Sequence, residues 1–133
     1  MRGIDTNVLV RFLVTDDERQ SALARAHMAS LTAAAPGFIA TVTLVEAYWV
    51  LRNAMGVDRA AVLDAFARLA AAAEVRVEDG EQVRFAVDAA REGADFADAL
   101  IAFAARRAGC ADVVTFDEKA VRRLGFTALD AGA

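Results

Sequence analysis

The sequence predicts a single α/β domain over residues 1–133, a three-layer α/β/α sandwich around a central, mostly parallel sheet. Three observations favour this fold class. Short apolar segments suited to buried strands alternate with longer segments in which apolar residues recur at helical spacing, which is the pattern of parallel α/β folds. The 133 residues are enough for one hydrophobic core. Since 57% of them are hydrophobic and only one is proline, we expect short connections and abundant helix.

In chain order, the first half opens on an apolar run that polar residues interrupt. Ile4 belongs to a first strand, and Asp5 follows it at a position where a buried carboxylate needs a cation or another partner. Strand-like apolar residues resume over 8–10. A capping-box pattern at Thr15 then predicts a helix, which a Pro-Gly pair ends. The elements predicted for this half are a strand ending at Asp5, a helix over 15–34, a strand over 38–42, helices over 43–55 and 58–70, and a strand over 74–78.

The second half continues the alternation. Apolar residues at helical spacing from Val83 to Val87 predict a helix that Gly93 closes, and Asp95 is expected to cap the next one. The β-branched run before Asp117 predicts a buried strand. The elements predicted here are helices over 81–91 and 95–108, a strand over 112–116, a helix over 118–124 and an edge strand over 126–129.

Charge and cysteine content narrow the function classes. The net charge is −4, from 15 basic against 19 acidic residues, which argues against a nucleic-acid binder that relies on a broad basic surface. Because Lys119 is the only lysine, fourteen of the fifteen basic residues are arginine, which suits bidentate phosphate contact, so charge leaves the partner open. The lone Cys110, expected to be buried, excludes an internal disulfide and fits a reducing, cytoplasmic setting.

No segment predicts secretion or membrane insertion. Asp5 and Arg11 interrupt the apolar residues of the amino terminus, so it does not resemble a signal peptide. Residues 28–45 carry no charge, but Pro36 and Gly37 divide them into a helix end, a turn and a strand. We therefore expect a soluble protein.

Four acids are candidate ligands for a metal ion: Asp5, Glu46, Asp98 and Asp117. Asp5 and Asp117 each follow a predicted parallel strand, and parallel strands end at the same edge of a sheet. Glu46 and Asp98 lie near the starts of predicted helices, which we expect to begin at that edge. Two unit charges about 4 Å apart repel by ~4 kcal/mol at an effective dielectric of about 20, so such a cluster needs protonation or a divalent cation. Oxygen-only ligands favour Mg²⁺ or Mn²⁺ over Zn²⁺.

Each acid also has a purely structural interpretation. Glu46 is the fourth residue of a capping box that begins at Thr43, although its helix is apolar on most sides. Asp98 lies near the positive end of a helix dipole, an interaction worth ~0.5 kcal/mol, but it shares a stripe with apolar residues expected to face the sheet. Asp95 and Asp117 can each cap a helix, and Asp95 can also bind a metal through water.

In their ordered combination, four parts of the chain resemble the PIN-domain family, and most closely the VapC-like ribonuclease toxins of type II toxin–antitoxin systems. The matching parts are Ile-Asp-Thr-Asn-Val-Leu from Ile4, Glu46 in the helix after the second strand, Asp-Phe-Ala-Asp-Ala-Leu-Ile-Ala from Asp95, and Val-Thr-Phe-Asp from Val114. Together they span almost the whole chain. The resemblance therefore implies that the predicted sandwich is a PIN-like nuclease domain.

The resemblance also implies a site, a reaction and partners. Residues implied to form the acidic metal site are Asp5, Glu46, Asp98 and Asp117. Residues implied to orient carboxylates or water around it are Thr6, Asn7 and Thr115. The implied reaction is cleavage of RNA, such as transfer or ribosomal RNA, with Mg²⁺ or Mn²⁺, leaving a 5′-phosphate and a 3′-hydroxyl. A small cognate antitoxin and a homodimer are the implied protein partners.

Two other functions stay open. A phosphatase of the haloacid dehalogenase type would use Asp5 as its nucleophile, but that chemistry needs a second aspartate where Asn7 stands, and an amide cannot exchange protons. A non-catalytic binding module of the same fold would use the acids only as helix caps or weak metal ligands. Cleavage of RNA that depends on a metal separates the ribonuclease from both alternatives.

Two further groups of residues have open roles. The apolar side chains of Tyr48, Trp49 and Met55 fit an antitoxin groove or a dimer face, and they fit an ordinary core equally well. The arginine pairs at 106–107 and 122–123 either contact RNA phosphates or complement the carboxyl ends of helices.

Overall fold

Short strands and longer helices alternate along the chain in the computed structural model, which describes residues 1–130. All the strand pairings among these residues are parallel, and the predicted α/β class is confirmed. The chain divides into two compact units, residues 1–80 and the part from residue 81 onward, and each unit is described by itself. The prediction of a single domain stays a prediction.

The first unit is built on a three-stranded parallel sheet. Its elements are β1 (Arg2–Gly3), α1 (Thr6–Leu13), α2 (Glu18–Ala29), β2 (Gly37–Ile39), α3 (Thr41–Trp49), a π-helical segment (Val50–Ala54) that continues α3, α4 (Arg59–Ala71) and β3 (Val75–Val77). The strand order is β1-β2-β3, with Gly3 opposite Phe38 and Phe38 opposite Arg76. A Cβ atom at Gly37 would lie 2.8 Å from Leu31 Cδ1, so glycine permits the close approach at this point.

The core of the first unit is made of side chains from its helices and its middle strand. Leu44 of α3, Ile39 of β2 and Phe66 of α4 are all fully buried. The Tyr48 ring lies 6.4 Å from the Phe66 ring, centroid to centroid, at a tilt of 56°. Tyr48 is therefore half-buried and packs against the core, whereas its neighbour Trp49 is 62% exposed.

The second unit pairs two parallel strands and three helices. Its elements are α5 (Gly80–Arg91), α6 (Phe96–Arg107), β4 (Val114–Thr115), α7 (Glu118–Leu124) and β5 (Thr127–Ala128), with Gly80 itself the last residue of the first unit. Val114 lies opposite Thr127. Gly125 ends α7 in the left-handed conformation (φ 71°), which glycine adopts without a steric cost. A small core of Ala102, Ala120 and Phe126 lies beneath these elements.

The start of the chain differs from the prediction. Residues 8–10 are helical and not strand-like, since α1 begins at Thr6, immediately after Asp5. The first strand is correspondingly short, and β1 ends at Gly3. Ile4 follows it, is 6% exposed, and donates its backbone N–H to Phe38 O at 2.8 Å. Asp5 therefore stands two residues beyond β1, and its role in a site at the strand end stays a prediction.

Helix α2 is shorter than predicted at both ends. Asp17, and not Thr15, caps it, because the Asp17 carboxylate accepts a hydrogen bond from the Gln20 backbone N–H at 3.0 Å. The helix ends at Ala29, and residues 32–35 form a turn in which the backbone groups of residues 32 and 35 pair with each other. The capping-box pattern was thus two residues away from the cap that forms.

The strand predicted to be buried over 112–116 is short and largely exposed. Only residues 114–115 are paired, Val114 is 58% exposed and Phe116 is 85% exposed. Cys110, also predicted to be buried, is exposed. β-Branched residues favour strand conformation, but they do not determine which faces are covered. None of the helices within residues 1–130 is both long and apolar enough to span a membrane.

Candidate functional site

Asp5 caps helix α1. Its backbone is extended (φ −77°, ψ 158°), and its carboxylate Oδ1 accepts a hydrogen bond from the Thr6 backbone N–H at 2.8 Å. The side chain is exposed, so it is accessible to a ligand from solution. Asp5 thus acts as a helix cap with one oxygen, and a carboxylate has further lone pairs with which to bind a cation.

Thr6 connects Asp5 to Glu46, forty residues further along the chain. The Thr6 hydroxyl donates a hydrogen bond to Glu46 Oε1 at 2.8 Å. The predicted capping box at Thr43 is wrong, because α3 begins at Thr41 with Ala40 as its cap and Thr43 is buried inside the helix. Glu46 is exposed, so its carboxylate is not the buried group that the apolar helix suggested.

Asp98 and Asp95 lie together at the start of helix α6. Asp95 caps the helix, as predicted, and its Oδ2 accepts a hydrogen bond from the Asp98 backbone N–H at 2.9 Å. Asp98 is half-buried, although Ile101, placed on the same stripe by the sequence, is 51% exposed. Burial raises the pKa of the Asp98 carboxyl above its usual range, the negative charges of Asp95 and Asp117 raise it further, and the charge of Lys119 lowers it.

Asp117 caps helix α7, and its negative charge acts on the Asp98 carboxyl. Its Oδ1 accepts a hydrogen bond from the Lys119 backbone N–H at 2.9 Å, so the predicted capping role is confirmed. Its own backbone N–H donates to the Thr115 hydroxyl at 3.0 Å. Thr115 therefore fixes the backbone at Asp117, and its implied role in orienting carboxylates or water stays a prediction.

The chemistry of these donors fits a hard divalent cation, since all of them are carboxylate oxygens. Within residues 1–130, no three His, Cys, Asp or Glu side chains are gathered into a group that could hold a metal ion. The acids that share contacts or charge effects are Asp5 and Glu46 in the first unit and Asp95, Asp98 and Asp117 in the second. A site that combines the two groups stays a prediction.

Asn7 and the arginine pair at 106–107, which the sequence analysis also named, have contacts or positions apart from the acids. Asn7 is exposed and lines an open cavity of about 440 Å³ between α1 and α2, and its supporting role stays a prediction. The guanidinium of Arg106 lies 5.3 Å from the Phe85 ring centroid, and that of Arg107 lies 4.5 Å from Phe103. This arginine pair therefore packs on aromatic rings of its own unit.

Sequence reasoning missed two residues beside Asp117. Lys119 is close enough to Asp98 to lower the pKa of its carboxyl, which makes it a cation next to the acids. The sequence could have pointed to Lys119, because it is the only lysine in the chain and follows Asp117 by two residues. Phe116 was assigned to a buried strand, and only the structure reveals that its ring is exposed.

The raised pKa of Asp98 predicts a dependence of stability on pH. Because the folded protein holds the proton more tightly than the unfolded chain, protonated Asp98 contributes stability that is fully present below its ordinary pKa of 3.8. That contribution is lost as the pH rises through the higher pKa of the folded state. Asp98→Asn, neutral throughout, should gain in free energy of unfolding over the native protein as the pH rises across this window. Urea unfolding at a series of pH values with a chelator present measures the difference, and a gain that grows toward low pH contradicts the expected sign.

Proteins of the parallel α/β class usually have their functional sites where the strands end. In this chain Asp5 and Asp117 each follow a strand. The family model of the PIN domain matches residues 4–126, and the chain therefore belongs to the PIN-domain family. A crystal structure of Mycobacterium tuberculosis VapC20, described as a sarcin-ricin loop cleaving toxin, is 24% identical, covers 96% of this chain and 97% of that chain, and superposes with a TM-score of 0.45. No curated protein matches the chain significantly.

Proposed function

We propose that this PIN-domain protein is an endoribonuclease that depends on Mg²⁺ or Mn²⁺, and that it is the cytoplasmic toxin of a type II toxin–antitoxin pair. One observation carries the proposal: the PIN-domain model matches residues 4–126, a span that contains Asp5, Glu46, Asp98 and Asp117. Burial and the charges of Asp95 and Asp117 also raise the pKa of the Asp98 carboxyl, and acids with perturbed pKa values are frequent in active sites. The proposed metal ligands are Asp5, Glu46, Asp98 and Asp117.

In this proposal the other polar residues hold the acids and the substrate in position. A bound divalent ion would supply an acidified water and offset the charge of the attacked phosphodiester. The Thr6 hydroxyl fixes the orientation of Glu46, and the Thr115 hydroxyl fixes the backbone at Asp117. Lys119 provides a positive charge for a phosphate oxygen of the RNA.

The proposal includes a small cognate antitoxin and a homodimer. Val42 and Trp49 on helix α3 are 65% and 62% exposed. They are seven residues apart, which is two helical turns, so they lie on one face of the helix. Large apolar side chains exposed on one face are typical of protein contact surfaces.

Purified full-length protein, free of antitoxin, incubated with total RNA and Mg²⁺ or Mn²⁺ tests the proposal. We expect discrete RNA fragments with 5′-phosphate ends, which disappear when a chelator is added. As a control, Asp88→Asn removes one negative charge from an exposed position of α5 and should cleave like the native protein. Absence of cleavage with either ion, or cleavage that persists in the chelator, would overturn the proposal.

A non-catalytic binding module is favoured by a specific observation, namely that Asp5, Asp95 and Asp117 all cap helices. Capping alone gives these acids a structural function. The two functions predict different results for a variant that keeps a cap and loses its charge. Asparagine also caps helices, so an Asp5→Asn protein that folds but no longer cleaves RNA supports the enzyme, whereas a native protein that binds RNA without cleaving it supports the module.

Removing the Thr6 hydroxyl should slow the reaction without unfolding the protein. Thr6→Val deletes the donor to Glu46 and leaves the backbone N–H that bonds to Asp5. Residues that orient metal ligands typically contribute about 10- to 100-fold to activity, so we expect a loss of that size. Thr6→Ser keeps the hydroxyl and should stay close to native activity. Initial cleavage rates at saturating metal measure both, and equal rates for the two variants would contradict the role of Thr6.

A further inference from the structure

Phe116 is the most exposed large apolar side chain within residues 1–130, at 85%. Aromatic side chains carry a large apolar area, so a ring exposed to this extent is available to a ligand from solution. It stands between Thr115, the last paired residue of β4, and Asp117, the cap of α7. Phe116 is therefore the immediate chain neighbour of one of the acids of the candidate site.

The backbone on both sides of Phe116 is fixed. Thr115 O accepts a hydrogen bond from the Leu129 backbone N–H at 2.8 Å. On the other side, the Asp117 N–H donates to the Thr115 hydroxyl at 3.0 Å, and the Asp117 carboxylate accepts from the Lys119 N–H at 2.9 Å. Phe116 is thus presented to solvent by an ordered turn, which lowers the entropy cost of binding through its ring.

The charges around Phe116 favour one kind of occupant. Asp117 and Lys119 follow Phe116 by one and three residues, and the positive charge of Lys119 is close enough to act on Asp98. A nucleotide combines a phosphate, which Lys119 attracts, with a flat base that stacks on an aromatic ring, and such stacking tolerates any base.

We propose that Phe116 is a stacking platform for an unpaired base of the RNA substrate, next to the phosphodiester that the carboxylates act on. This inference rests on the proposed function. A base inside an A-form helix is already stacked on both faces, so the platform selects single-stranded loops and ends. Phe116 is therefore a positioning and specificity residue, while the acids carry out the chemistry.

The test measures whether the ring and one base of the RNA act together. Short single-stranded RNAs, each with one base removed to leave an abasic sugar, are titrated by fluorescence polarisation against the Asp5→Asn protein, which keeps residues 81–130 unchanged and is expected not to cut. In Phe116→Ala we expect binding about 5- to 150-fold weaker. Removal of the stacked base should weaken binding to the protein that keeps Phe116. It should have no effect on binding to Phe116→Ala, because loss of the ring and loss of the base abolish the same contact.

Two further variants complete the design. Phe116→Trp keeps an aromatic surface and should restore binding and loop preference, whereas Leu23→Ala removes another exposed large apolar side chain, on α2, and should bind RNA normally. If Phe116→Ala binds and cleaves RNA like the native protein, or if it changes only the oligomeric state or antitoxin capture, the platform is refuted and the ribonuclease stands. Binding that depends on Phe116 without any cleavage by the native protein refutes the ribonuclease and keeps the platform. Absence of any RNA binding refutes both.

Discussion

The Asp98→Asn variant is expected to cleave RNA about a thousandfold more slowly than the native protein, because loss of one metal ligand removes about 4 kcal/mol of transition-state stabilisation. At neutral pH and without metal, the same variant should be more stable than the native protein, since the ionised Asp98 is disfavoured by burial and by its acidic neighbours. Loss of activity together with a gain in stability cannot come from misfolding. Single-turnover cleavage assays and urea unfolding measure the two quantities.

The matched control for this experiment is Asp88→Asn, which removes one negative charge from an exposed position of α5. It should leave cleavage within about twofold of native and change stability by less than ~0.5 kcal/mol, as surface substitutions usually do. If Asp98→Asn keeps native activity, Asp98 is not a metal ligand. If it loses both activity and stability, Asp98 has a structural role in α6.

The Phe66→Ala variant is expected to lower the free energy of unfolding by about 3–5 kcal/mol. Phe66 is fully buried in α4 and packs against Tyr48, so truncation removes apolar contacts and leaves a cavity. Since natural domains are stable by only about 5–15 kcal/mol, the loss is a large part of the total. Urea unfolding followed by circular dichroism gives the change in midpoint at an unchanged slope.

Phe116→Ala is the natural control for Phe66→Ala, because the chemical change is the same while the exposure is 85% in place of 0%. It should alter stability by no more than ~0.5 kcal/mol. Equal losses in the two variants would mean that the ring of Phe66 is not part of the core, or that the ring of Phe116 is covered in solution.

Local sequence patterns predicted several caps and the order of helices and strands except for helix α1, but not the contacts that cross long stretches of chain. Asp95 and Asp117 were predicted to be caps because a cap depends on its own helix alone. Glu46 matched a local capping box that does not form. Its partner is Thr6, and a hydrogen bond between residues forty positions apart leaves no spacing pattern for a single sequence to reveal.

The sequence also did not predict that strand β4 of the second unit is short and exposed. Val113, Val114 and Phe116 have the strand propensity from which the element was predicted, and a two-residue strand does form there. Propensity describes how a residue suits a pleated backbone, whereas exposure depends on what packs above it. The sequence therefore identified the acid Asp117 by its position after the strand, and it missed the exposed aromatic next to it.

The helix caps have a genetic consequence. Asp5, Asp95 and Asp117 each start a helix through a side-chain oxygen, and asparagine offers an acceptor of the same kind. One nucleotide substitution converts an aspartate codon into an asparagine codon. In a lineage that the proposed nuclease harms, one substitution would therefore remove the charge, retain the folded chain and leave the gene free to acquire another use.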